Sequence, residues 1–141
     1  MNKEHSYPDY CIIHILSFKQ NNQAIKYCPE FAISGYGITD QEAYHSFQEN
    51  LNTLIETFES NIDQLHLHLI EDCGWQAKRG SEDLVVVVPQ YLDYYIHTDP
   101  MYREIVVGGA STFVQEPKSF SLQREIELGL TREYLEASPI V

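Results

Sequence analysis

Three residues near the middle of the chain, His66, His68 and Cys73, have side chains that can ligate a metal or take part in nucleophilic catalysis. The alternating run Leu65–Leu69 predicts a strand with both imidazoles on one face, which would offer two metal ligands with Cys73 or Asp72 as a third. Such histidines more often lie on the solvent-exposed or half-covered face of a strand, and Cys73 has no local nucleophile signature. We therefore expect no catalytic residue, no cofactor and no metal, with these three residues as weak metal candidates.

Other signatures of catalysis are missing from the sequence. The glycines of residues 34–37 and 108–109 form neither a phosphate-binding loop nor a nucleophile elbow. The first predicted strand, residues 11–18, offers His14 and Ser17 but no carboxylate, and two-metal phosphoryl chemistry needs converging carboxylates. We expect a protein that is not an enzyme.

The elements that would position these side chains begin with two strands and a helix. Residues 11–18 are β-branched and aromatic, Asn21-Asn22 marks a turn, and residues 24–34 form a second strand that Pro29 interrupts or confines to a sheet edge. Thr39 and Glu42 have the spacing of a capping box, and apolar residues then recur every three or four positions to about residue 59. This pattern predicts a long helix with one apolar stripe lying on a sheet.

The second half of the chain gives weaker signals. Residues 84–88 and 104–107 are short apolar runs that indicate strands, while the tyrosine-rich segment between them fits a short helix or a loop. From residue 121 to Pro139 the pattern predicts a short C-terminal helix. The predicted fold class is α+β, with an antiparallel sheet, one long helix packed across it and a short C-terminal helix.

Residues 29–51 carry a resemblance to a known family. Pro29-Glu30-Phe31, then Gly37-x-Thr39-x-x-Glu42-Ala43 and a long amphipathic helix, is similar to the HicB antitoxin family. The resemblance implies a β-β-α-β unit over residues 1–70 that looks like a truncated ribonuclease H fold without its catalytic carboxylates. It also implies a toxin-antitoxin system, in which the chain would neutralise a basic ribonuclease. Residues 71–141 form an unassigned extension of the same single domain, 1–141.

Charge is the most informative feature besides that motif. The chain has 21 acidic and 9 basic residues, a formal net charge of -12, and no lysine or arginine within residues 27–77. Such a chain repels the nucleic-acid backbone and anionic membranes, and residues 118–141 contain no basic DNA reader. We expect a basic, toxin-like protein to dock on the acidic face of the long helix, although such faces more often only confer solubility. The candidate partner-binding residues are Asp40, Glu42, Glu49, Glu56 and Glu59.

Length and cysteine content narrow the class of protein further. At 141 residues the chain has room for one domain, and its three cysteines follow no disulfide or metal spacing, which is typical of reduced thiols in the cytoplasm. Two alternatives to the interaction module stay open. One is a small enzyme or ligand-binding or metal-binding domain with a site near His66, His68 and Cys73. The other is a homo-oligomer that pairs strand edges near Pro29 or the valine-rich run.

Overall fold

The computed structural model describes residues 5–6, 11–58, 61–79, 85–109 and 113–121. Runs of strands and runs of helices follow one another in an α+β fold, as predicted. In chain order the elements are β1 (His5–Ser6), β2 (Cys11–Gln20), β3 (Gln23–Cys28), β4 (Ile33–Gly37), α1 (Asp40–Phe58), α2 (Ile62–Glu71), β5 (Gln76–Arg79), β6 (Val85–Val88), α3 (Leu92–Thr98), α4 (Pro100–Arg103), a π-helical turn (Glu104–Gly109) and β7 (Phe113–Phe120).

The main sheet has four antiparallel strands in the order β4-β3-β2-β7. Asn21 and Asn22 both have positive φ angles, 53° and 63°, as a tight hairpin turn requires, and this turn sets Gln20 opposite Gln23. Pro29 follows the last residue of β3, and β4 begins after a short turn. The predicted interruption of the second strand at Pro29 is confirmed.

Strand β7 comes from the second half of the chain, which sequence reasoning left unassigned. It pairs with β2 from Cys11, opposite Phe120, to Phe18, opposite Phe113. Pro117 lies opposite His14 in this edge strand, a position where a missing N–H costs little. Residues from both halves of the chain therefore build one sheet.

One half of the predicted capping box forms at the start of α1, while the Glu42 carboxylate bonds the residue before Thr39 instead of Thr39 itself. Thr39 Oγ1 accepts a hydrogen bond from the backbone N–H of Glu42 (3.1 Å), and Glu42 Oε2 accepts one from Ile38 (3.0 Å). The apolar stripe of Ala43, Phe47, Leu51 and Ile55 is buried. These two features explain why the helix starts where it does and which side faces the sheet.

Glycine lets α1 approach the sheet closely. A Cβ atom at Gly35 would lie 2.2 Å from the backbone nitrogen of Phe47, and one at Gly37 would lie 2.6 Å from that of Ala43. Any side chain at either position would force the helix away from β4. Gly37 and Ala43 of the motif thus meet where α1 comes close to β4.

Both faces of the main sheet are covered. On one face, Ile13 and Ile15 pack with the stripe of α1, with α2 and with Trp75. On the other face, Leu16 and Phe18 pack against α3, α4 and the π-helical turn, with Tyr95 at the centre. Successive residues of β2 alternate between these two cores, as the period of a strand requires.

A second, smaller sheet has the order β1-β6-β5. Strand β6 covers residues 85–88 of the predicted valine-rich strand. It runs parallel to β1 and antiparallel to β5. Because β6 is paired on both sides, the valine-rich run does not offer a free edge. The edges of the main sheet are β4, which follows the turn after Pro29, and β7.

The predicted strand at residues 65–69 is wrong, because these residues belong to helix α2. Asn61 caps the helix by accepting a hydrogen bond from the backbone N–H of Gln64 (3.3 Å). Leu65 and Leu69, four residues apart, are 1% and 0% exposed, whereas Leu67 is 47% exposed. A five-residue alternation was too short to distinguish a strand from a helix with a narrow buried stripe.

Two further expectations fall in the second half of the chain. Residues 104–107 belong to the π-helical turn, not to a strand, and the tyrosine-rich segment forms the short helices α3 and α4. The predicted C-terminal helix and Glu59 lie outside the described residues. Across the described ranges, no helix combines the length and the apolar character needed to cross a membrane.

Candidate functional site

The acidic residues of α1 lie mainly on its outer side. Glu42, Glu49 and Glu56 are seven residues apart, so they follow one line along the helix, about 10 Å from one to the next. Helical geometry puts this line opposite the buried stripe, and all three residues are exposed. The helix has no lysine or arginine. We call Glu42, Glu49 and Glu56 the acidic line.

The predicted partner-binding residues differ in their surroundings. Asp40 is off the acidic line and pairs with Lys26 (Oδ2 to Nζ, 2.9 Å). One carboxylate oxygen of Glu42 accepts a hydrogen bond from the backbone N–H of Ile38, and Glu49 lies 3.0 Å from Nε2 of His45. These contacts leave the exposed carboxylates of the acidic line accessible to solvent.

The three weak metal candidates do not share a face. Helix α2 rotates His66 about 200° away from His68, and His66 is 4% exposed. His68 instead lies between Asp72 (Nδ1 to Oδ2, 3.0 Å) and Cys73 (Nε2 to Sγ, 3.7 Å). Among the residues that the structure describes, no group of three or more His, Cys, Asp and Glu side chains is arranged to hold a metal ion.

Cys73, His68 and Asp72 follow the order of a nucleophile, a base and a residue that orients the base. The thiol, however, is 5% exposed and lies 3.6 Å from the carbonyl oxygen of Phe31. Burial and the nearby Asp72 carboxylate raise the pKa of Cys73 to about 12. The thiol is therefore protonated at neutral pH, and the arrangement is not an activated nucleophile.

The strongest polar feature of the interior is Glu30, whose side chain is 1% exposed. Its Oε1 accepts hydrogen bonds from the backbone N–H of His14 (3.0 Å) and the thiol of Cys28 (3.4 Å), and its Oε2 lies 2.7 Å from His14 Nδ1. The indole N–H of Trp75 fixes the backbone carbonyl of Glu30 at 2.6 Å. Several donors converge on this carboxylate, which offsets the cost of burying it.

Glu30 also sets the orientation of the His14 ring. A carboxylate that accepts from Nδ1–H holds the neutral imidazole in the tautomer whose Nε2 carries a lone pair. Within the described parts of the chain, Nε2 of His14 has no hydrogen-bond partner. We call His14 and Glu30 the dyad.

The dyad borders a cavity of about 460 Å³ between β2, β5 and the segment that leads into α3. His14 forms part of its wall and is 20% exposed. The polar lining comprises Cys11, His14, Gln76, Lys78, Gln90 and Tyr91. In this cavity a wall histidine held by a buried carboxylate meets a space large enough for a small molecule.

Sequence reasoning missed the dyad, although a signal for it existed. It placed Glu30 in the Pro29-Glu30-Phe31 motif and His14 in the first strand, and it did not connect the two. Continuing the hairpin register from Leu16 opposite Tyr27 by two residues places Pro29 opposite His14. Pro29 ends that pairing, and the next residue, Glu30, supplies the acceptor for the His14 N–H.

Comparisons with protein-family models, curated proteins and solved structures find no match for this chain.

Proposed function

We propose that this chain is a non-catalytic interaction module of the cytoplasm, resembling the HicB antitoxins, and that it binds a basic protein through the acidic line. The partner class is a small toxin-like ribonuclease with a surface rich in lysine and arginine. The observation that carries the proposal is the exposed, cation-free row of Glu42, Glu49 and Glu56 on the outer side of α1.

The geometry of the acidic line suits recognition of a basic surface. Three carboxylates over about 20 Å give one sign of charge along the helix, which speeds encounter with a positively charged partner. Because these side chains are exposed, their contribution falls as salt screens them. Binding should be fast and salt-sensitive.

The order of elements up to α1 also supports the proposal, whereas the last strand of the expected β-β-α-β unit is replaced by helix α2. Strands β2, β3 and β4 lead directly into α1, and the hydroxyl of the motif residue Thr39 accepts a hydrogen bond from the Glu42 N–H. The resemblance to HicB antitoxins implies the same strand-to-helix order. In this proposal the helix, backed by the sheet, presents its outer side to the partner.

The test is a charge reversal on the acidic line. We would capture partners of the tagged chain from lysate of its source cells, identify and purify the most basic one, and measure its Kd by calorimetry at low and at physiological salt. The Glu49→Lys/Glu56→Lys variant should weaken binding at least about tenfold.

A matched control is Asp93→Lys/Glu104→Lys. These two exposed residues lie on α3 and the π-helical turn, on the opposite face of the sheet, and their reversal changes the net charge equally. The control should bind within about twofold of the unmodified chain. If both double variants lose the same affinity, net charge alone explains binding, and the proposed site on α1 is wrong.

A second candidate function is a small ligand-binding or metal-binding domain near His68 and Cys73. The observation in its favour is a cavity of about 240 Å³ beside Asp72, Cys73 and Tyr94. Stoichiometric zinc in protein purified without chelator, lost on His68→Ala, would support the metal-binding form. Protein that takes up no zinc in that experiment would contradict that form.

A further inference from the structure

The lining of the cavity beside His14 has an unusual charge for this protein. The chain has 21 acidic residues, yet the described residues that line the cavity include no aspartate or glutamate. They include one ammonium group, Lys78, and one imidazole, His14. The part of the cavity wall that the structure describes therefore exposes one ammonium group and no carboxylate, and the Glu30 carboxylate that contacts His14 is buried behind it.

The dyad gives this cavity an imidazole of fixed orientation. Glu30 engages Nδ1 of His14, so Nε2 is the ring nitrogen left for a molecule in the cavity. Where Pro29 ends the strand pairing, one bond from Glu30 is enough to satisfy the His14 backbone N–H. The second bond, to the imidazole, adds orientation of the ring, which is how proteins prepare a histidine for a ligand.

The other polar groups of the lining are neutral donors and acceptors. Gln76 donates to the side chain of Gln90 at 2.7 Å, which holds both amides in place. Burial and the Glu30 carboxylate raise the pKa of the Cys11 thiol to about 11, so the thiol is uncharged at neutral pH. Tyr91 is 79% exposed beside these groups.

We infer that this cavity is a binding site for a small hydroxyl-bearing anion, whose hydroxyl donates to Nε2 of His14 and whose carboxylate or phosphate meets the ammonium of Lys78. The inference is independent of the acidic line, since it uses residues of β2, β5 and the segment before α3. The volume of about 460 Å³ suits a molecule of that size. The amides of Gln76 and Gln90 provide further donors for its oxygens.

Four probes separate the two parts of the ligand. 3-Hydroxybutyrate and ribose 5-phosphate carry both a hydroxyl and an anionic group, whereas butyrate lacks the hydroxyl and ribose lacks the charge. Each is titrated into full-length protein labelled with ¹⁵N-histidine, and the ring resonances of His14 are followed by NMR. At least one of the first two probes should bind with a Kd of about 1 mM or below, and at least about tenfold more tightly than its matched control.

Three variants test the assignment of residues. His14→Asn retains a donor near the position of Nδ1 but removes Nε2, and it should weaken the binding probe about tenfold or more. Lys78→Met retains the aliphatic stem of an exposed side chain and removes the charge, and it should weaken binding about fivefold. His45→Asn, at a 73% exposed histidine of α1, should bind like the unmodified protein.

The outcomes that overturn the inference are definite. One is that neither hydroxyl-bearing anion shifts the His14 resonances at concentrations up to about 10 mM. Another is that the hydroxyl-free and uncharged controls bind as well as the full probes, or that Lys78→Met and His45→Asn behave alike. Lys78→Met keeps the test valid if His14→Asn does not fold. If ribose 5-phosphate alone binds, the anion is a phosphate, and if 3-hydroxybutyrate alone binds, it is a carboxylate.

Discussion

The acidic line of α1 and the carboxylate of Glu30 carry the same chemical group in opposite surroundings. Glu49 is 67% exposed and has one exposed histidine beside it. Glu30 is 1% exposed, and donors from His14 and Cys28 reach both of its oxygens. The comparison separates a carboxylate that the folded core contains from carboxylates that are available to contact another protein.

Exposed and buried carboxylates differ in what they contribute to stability. A solvated pair such as His45 and Glu49 contributes little, because water and salt screen it. A buried carboxylate with several donors cannot lose its charge without leaving those donors unsatisfied. We therefore expect Glu30 to matter mainly for folding and for the orientation of His14, and the acidic line to matter mainly for association.

The largest expected effect is on the free energy of unfolding of Glu30→Gln. The amide removes the charge and one acceptor oxygen, so the His14 donors lose part of their partner, and the cost should be about 3 kcal/mol. Urea unfolding at pH 7 measures it. The matched change Glu49→Gln should cost less than about 0.5 kcal/mol. Equal losses in the two variants would mean that Glu30 is not a structural carboxylate.

The next expected effect is a loss of stability in alkali. Burial raises the pKa of Cys73 to about 12 and of Cys11 to about 11, and it raises that of Cys28 and, with the help of Asp99, that of Tyr27. In the unfolded chain these groups ionise near pH 8.5 to 10. As the pH rises through that range, the unfolded state therefore loses protons that the folded state still holds.

The free energy of unfolding should therefore be undiminished below about pH 8 and fall as the pH rises. Cys73 alone should lower it by about 2 kcal/mol at pH 10. Urea midpoints at pH 7.5, 9 and 10 under reducing conditions measure the slope. Cys73→Ala should flatten it, whereas Glu49→Gln should leave it unchanged. A midpoint that does not move between pH 7.5 and 10 would show that these thiols are not buried in solution.

Sequence reasoning succeeded where local chemistry decides the structure. The hairpin at Asn21-Asn22, the break at Pro29 and the bond from the Glu42 N–H to the Thr39 hydroxyl each act over four residues or fewer, and all three are confirmed. The apolar stripe of α1 repeats often enough to establish its period. These features gave the α+β class and the orientation of the first helix.

It failed where contacts between distant residues decide. His14 and Glu30 are 16 residues apart, and Glu30 lies in a segment with many acids and no lysine or arginine, so nothing local marks it as buried. The cavity depends on β5 and the segment before α3, whose positions follow from the second sheet. Strand β7 contains Pro117 and mostly exposed side chains, so it shows no alternating apolar pattern.

The smallest expected effect concerns the cap of α1, and it sharpens the contrast between residues that support the helix and residues that bind. Thr39→Ala removes the hydroxyl that accepts from Glu42 and should cost about 1 kcal/mol in urea unfolding. Thr57→Ala, at an exposed position inside the same helix, should be within about 0.5 kcal/mol of neutral, since alanine is the better helix former. Thr39→Ala should still bind the basic partner within about twofold, because Glu49 and Glu56 are unchanged. Should Thr39→Ala abolish binding while the protein stays folded, the first turn of α1 would itself be part of the interface, and the division between supporting and binding residues would move toward the helix start.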